Sequence, residues 1–67
     1  MPRSQSLERT LHVLIALRRD PKTLAELALT FRVCERTIRR DIEALEAVQI
    51  PVRHEGDGWW IDREFQL

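Results

Sequence analysis

The chain has 67 residues and one cysteine, Cys34, which bounds it to one small domain and excludes an internal disulfide framework. Its longest apolar run, "LHVLIAL" from Leu11 to Leu17, falls short of the roughly 18 residues a membrane span needs and is followed by no small-residue cleavage site. The net charge of zero hides a segregation: residues 1–40 hold nine Lys and Arg against four Asp and Glu, residues 41–67 two against seven, so one surface can attract a polyanion although the total vanishes.

A domain this small buries only about 60% of its unfolded surface. Without staples, its core must rest on regularly packed Leu, Ile, Val, Phe and Trp. A free cysteine and no apolar span lead us to expect a soluble, cytoplasmic protein.

The first helix is expected over about 6–19, starting from Ser4 or Ser6. Leu7, Leu11, Leu14 and Ile15 follow the i, i+4, i+7, i+8 pattern of one buried face. Val13 and Leu17 fall to its flank. Together with Leu29 they would form an exposed apolar cluster of the kind that marks a partner surface. Asp20-Pro21 ends the helix, because the residue before proline is pushed out of the α region.

A second helix is expected over about 24–31. "TLAE" reads as a capping box, Thr23 accepting from Glu26 N–H while the Glu26 side chain reaches back. Leu24, Leu27, Ala28 and Phe31 form its inner face, and Leu29 points out. After the turn Arg32-Val33-Cys34 a third helix runs over about 35–48. With Ile38 at zero on a helical wheel, Ile42 and Leu45 lie within about 40° of it, Arg36 and Arg40 near the opposite pole, and Thr37 and Arg39 on the flanks. Burial and positive charge thus occupy opposite faces. Cys34 stands at the N-cap, where a thiol is a poorer acceptor than a serine hydroxyl.

Pro51 forbids helix beyond. Ile50 and Val52 alternate, as do Trp59 and Ile61. Gly56-Asp57-Gly58 signals a tight turn between strands at about 51–55 and 59–62. Trp59 and Ile61 should face in and Trp60 out. The fold class is therefore mainly α with a small β-hairpin, a winged helix-turn-helix of three helices plus a two-stranded wing. The whole of 1–67 forms one domain, with the N-terminal part of a longer regulator as an open alternative to a complete chain.

"TLAELALTFRVCERTIRRDIEAL" is similar to the N-terminal DNA-binding domain of DeoR-type and WYL-domain bacterial transcription regulators. The matching positions are Leu27-Ala28, Val33, Arg36-Thr37-Ile38, Arg40-Asp41-Ile42, Leu45, Ile50-Pro51-Val52 and Gly58-Trp59. The resemblance covers nearly the whole chain. It implies sequence-specific binding of double-stranded DNA, usually as a homodimer in the full-length context and with a separate effector domain. Three positions depart from the pattern: Cys34 stands for the usual Ser, Gln49 for the helix-ending Gly, and Glu55 and Asp57 occupy a wing tip that is often basic.

The third helix suits the major groove, which is roughly 12 Å wide. Arg36 and Arg40 are the base-edge candidates, since arginine pairs with guanine O6 and N7. Thr37 and Arg39, the first turn at Cys34 and Glu35 with its partial positive charge, and Lys22 and Thr23 ahead of the second helix are the phosphate candidates. For Arg39 the plainer reading is an i, i+4 surface pair with Glu35 or Glu43. Asp41 would be repelled by phosphate, so it should orient an arginine or brace helix packing. Arg53 and Trp60 are the wing candidates, opposed by the acidic tip.

His12 and His54 lack companion ligands, and no cofactor or metal is expected. No nucleophile–base set, carboxylate pair or Gly-rich phosphate loop is present, so an enzyme is rejected. The competing function is a winged helix used for protein contact without DNA.

Overall fold

The structure is a computed structural model, and it describes residues 5–65. Helix α1 (Gln5–Arg19), α2 (Leu24–Phe31) and α3 (Glu35–Ala47) precede strands β1 (Val52–Glu55) and β2 (Gly58–Ile61). This is the three-helix, two-strand order expected of a winged helix-turn-helix.

The chemistry of the helix ends explains where each stops and starts. At α2, Thr23 Oγ1 accepts from Glu26 N–H at 3.0 Å while Glu26 Oε1 accepts from Thr23 N–H at 2.8 Å, satisfying two amides that no helical carbonyl reaches. Both α2 and α3 end with the backbone turned left-handed on a non-glycine residue, Arg32 at φ 59° and Gln49 at φ 72°. Two bonds close each end: Val33 N–H to Ala28 C=O (3.0 Å) and Arg32 N–H to Leu29 C=O (3.4 Å), then Ile50 N–H to Leu45 C=O (3.1 Å) and Gln49 N–H to Glu46 C=O (3.0 Å). This is the Schellman pattern, which prefers glycine at the left-handed residue. Gln49→Gly is therefore expected to stabilise the domain by about 0.5–1 kcal/mol, the steric cost of the left-handed side chain exceeding the entropy glycine adds to the unfolded chain. An unchanged or lower denaturation midpoint in urea would contradict this.

Val13, Leu14, Leu17, Leu27, Ile38, Ile42, Leu45, Ile50 and Ile61 form the core, with Leu24, Ala28, Phe31, Val33, Val52 and Trp59 packed against it. The inner faces of α2 and α3 are those the periodicity predicts, and Leu29 is exposed. The inner face of α1 is not. Val13 and Leu17, expected on the flank, are fully buried, while Leu7, Leu11 and Ile15 are about half exposed. Two apolar stripes share Leu14 on this helix, and Thr10-Val13-Leu14-Leu17 matches helical spacing as well as Leu7-Leu11-Leu14-Ile15 does. The first is favoured because it brings Arg9 and Thr10 onto α3. The partner surface expected at Val13 and Leu17 accordingly does not exist.

The strands pair antiparallel, Val52 with Ile61, Arg53 with Trp60, His54 with Trp59 and Glu55 with Gly58. Gly56 (φ +60°) supplies the positive backbone angle that a two-residue turn requires at its first position. Val52, His54, Trp59 and Ile61 share the face turned to the helices, and Arg53 and Trp60 share the other. Trp60, expected outside, is half-buried and lines a shallow groove with Leu17, Pro21 and Arg63. β2 is also bonded on its second edge: Lys22 N–H donates to Trp59 C=O (2.9 Å) and Trp59 N–H to Lys22 C=O (2.8 Å). That bridge joins the wing to the start of α2.

Candidate nucleic-acid interface

Three faces of α3 carry different chemistry. The inner face is apolar. The outer pole presents Arg36 and Arg40, both exposed, and among the described residues no hydrogen bond or ion pair engages either guanidinium. A free, extended arginine on a helix is what bidentate recognition of a base edge requires.

The flank toward the wing holds Arg39 and Glu35. They line an open groove with Thr23 and Leu24 of α2 and with His54, Asp57 and Trp59 of the wing. Arg39 Cζ lies 6.0 Å from the centroid of the Trp59 ring, within reach of a cation–π attraction. His54 stacks on the same tryptophan, ring centroids 3.9 Å apart and planes 10° from parallel. The i, i+4 pairs of Arg39 with Glu35 and Glu43 do not form: the ion pair among the described residues is Arg9–Asp41. Arg39 is thus steadied by the wing instead of by its own helix.

The flank toward α1 holds Thr37, Asp41 and Ala44. Asp41 is buried. Its Oδ1 accepts from Arg9 Nη2 and Thr10 Oγ1, each at 3.0 Å, and its Oδ2 accepts from Arg9 Nε. That bond holds the Arg9 guanidinium above its ordinary pKa. Asp41 therefore braces packing, with an arginine of α1, thirty-two residues away in sequence.

The phosphate candidates divide between the two flanks. Thr23, Glu35 and Arg39 line the wing-side groove. Lys22 is tied to Trp59 by a backbone bridge and lines a separate groove with Arg19 and Thr30. The Thr23 oxygen is engaged as the α2 cap, leaving its hydroxyl hydrogen to donate outward. Thr37 lies across the helix on the side of Arg40, its Oγ1 3.3 Å from Cys34 Sγ.

Cys34 is exposed at the N-cap and its thiol forms no capping hydrogen bond. Its pKa is lowered, first by the Thr37 hydroxyl and next by the positive ends of first-turn N–H groups. In the wing, Arg53 is exposed and Trp60 half-buried. Glu55 and Asp57 are exposed, and Asp57 lies at the mouth of the groove that holds Arg39.

Two contributors escaped the sequence reading: Trp59, assigned to the core, and His54, assigned to solvent. The signal was present, because a two-residue turn at Gly56-Asp57 dictates that 54 faces 59. Among the described residues no group of three or more His, Cys, Asp or Glu could hold a metal ion, and no helix is long and apolar enough to cross a membrane.

Comparison with known proteins places this geometry in a family. Residues 7–59 match the family described as HTH domain. No curated protein and no solved structure matches the chain.

Proposed function

The chain belongs to the HTH domain family, the helix-turn-helix DNA-binding domains, and we propose that it is the sequence-reading domain of a transcriptional regulator with α3 in the major groove. The observation that carries this is the outward display of Arg36, Arg39 and Arg40 on a helix whose other face fills the core. The family is typically non-enzymatic.

In this reading Arg36 and Arg40 meet base edges. Arg39, Thr37, Thr23, Lys22 and the first-turn amides at Cys34 and Glu35 meet phosphate, and Arg53 with Trp60 flanks the duplex. Base contacts specify and phosphate contacts position. The closer likeness to DeoR-type and WYL-domain bacterial regulators, a cytoplasmic location and a homodimer in the full-length context belong to the same proposal.

Titration with duplex DNA at low and moderate salt tests it. Two or three neutralised phosphates per copy predict that affinity falls about 10–40-fold between 50 and 200 mM salt. Arg39→Ala should weaken operator and random DNA alike and reduce the salt slope by about one. The protein-contact alternative, to which exposed Leu29 and the acidic wing tip lend support, predicts no salt-dependent duplex binding.

A further inference from the structure

We infer that two copies of this chain associate through α1, about a two-fold axis that sets the two helices antiparallel. The site is the apolar stripe of α1 that the core leaves uncovered. Leu7 is 59% exposed, Leu11 47% and Ile15 52%, and Val48, just past α3, is 65% exposed. Leu7, Leu11, Ala44, Val48 and Ile50 line one open groove, and Ile15 continues the stripe one turn beyond Leu11. Single exposed aliphatic residues need no explanation, but a contiguous patch does.

The occupant is a second copy for two reasons. The first is size. Four half-exposed aliphatic side chains present on the order of 300–400 Å² of apolar surface, as large as the functional patches of monomers. That is close to the apolar share of the roughly 800 Å² per partner in a standard interface.

The second is charge. Glu8 lies in the first turn of α1, Arg18 and Arg19 in the last. Antiparallel helices place the acidic end of each on the basic end of the other, whereas parallel ones stack like charges. The register that sets Leu11 of one copy against Ile15 of the other brings Glu8 of each copy to the Arg18–Arg19 end of the other. Arg18 Nη2 already donates to the Arg63 C=O (3.2 Å), which leaves the exposed Arg19 as the partner. A self-complementary patch of this kind is what an isologous two-fold contact needs.

The contact leaves Arg36 free, while Thr37 and Arg40 stand at the α3 edge of the same groove. On the wheel of α3, Val48 lies about 80° from Ile38 toward α1, with Thr37 about 20° and Arg40 about 80° beyond it and Arg36 about 120° away. From α3 through α1 and the second α1 to the second α3 there are three helix packings of 8–10 Å, about 24–30 Å in all. This approaches the ~34 Å between half-sites one turn apart. That last correspondence rests on the proposed DNA reading; the association itself does not.

Sedimentation velocity from about 1 μM to 1 mM, a range that spans weak association, should show a reversible monomer–dimer equilibrium. Leu11→Asp and Ile15→Asp should each raise the dissociation constant about 30-fold or more, each change entering the interface twice. At about 1 μM, where the parent is monomeric, the unfolding midpoint should stay near that of the parent, since neither side chain is in the core. Glu8→Arg and Arg19→Glu should each weaken the dimer, and the two together should restore it. A parent that stays monomeric throughout, as it would if another segment or another protein covers the patch, overturns the inference. So does a dimer that survives both aspartate substitutions. On DNA, Leu11→Asp should keep affinity for one half-site and lose the gain from two. If neither protein binds any duplex, the DNA reading fails and the sedimentation result still decides the dimer.

Discussion

Asp41→Ala is expected to lower the stability of the domain by about 2–3 kcal/mol. The carboxylate is buried and takes three hydrogen bonds from two residues of α1. Removing it takes the acceptor from the Arg9 guanidinium and one hydrogen bond from Thr10, and a charge stripped of its partner costs more than the pair contributes. The Arg9 side chain keeps 22% of its surface in water, so it can swing outward and recover part of its solvation. That places the loss below the 3–5 kcal/mol typical of a fully enclosed pair. In a domain this small the midpoint of thermal unfolding should fall by about 10–20 °C. Replacing both partners by apolar residues, Arg9→Met with Asp41→Leu, should recover most of it, because neither charge then needs compensation. A melt of Asp41→Ala within ~3 °C of the parent would mean that Arg9 and Thr10 find other partners.

Arg36→Ala and Arg40→Ala should each cut the ratio of operator to random affinity by roughly 5–150-fold, the equivalent of about 1–3 kcal/mol for one bidentate contact to guanine. Neither should change stability by more than ~0.5 kcal/mol, since the side chains are exposed and nothing in the domain depends on them. The two effects should be separable by position. Arg36 lies in the first turn of α3 and Arg40 one turn on, so each variant should lose preference at a different base pair of the site. Titrations against singly substituted duplexes measure this. Two variants that discriminate as the parent does would remove both residues from base contact and leave the outer pole of α3 as a phosphate-binding surface.

Local chemistry carries most of what the sequence reveals. The capping box at Thr23 and Glu26, the break at Asp20-Pro21, the turn at Gly56 and the inner faces of α2 and α3 all depend on neighbours within four residues, and all appear where periodicity and turn rules put them. The face of α1 was ambiguous for a definite reason: the helix is apolar around more than half its circumference, and the choice between its stripes depends on Asp41, which lies more than thirty residues away. The same distance hides the Arg9–Asp41 pair. Lys22 gave no sign of pairing with Trp59 because a single extended residue has no periodicity to read. In the interface, the exposure of Arg36, Arg39 and Arg40 followed from the helical wheel alone. What the wheel could not give was the separation of adjacent Arg39 and Arg40 into two grooves, nor the tryptophan beneath Arg39, since both depend on where the hairpin folds back.

The double hydrogen bond between Lys22 and Trp59 has a mechanical consequence. A hairpin joined to the body only through its ends could tilt as a flap. This one is riveted in the middle of β2 to Lys22, two residues before α2, and Ile61 of the same strand is sunk in the core. Detaching the hairpin means tearing out both at once, so the three helices and the wing should open as one cooperative unit. A reading head of this kind meets its target already shaped, with little ordering left to oppose the encounter.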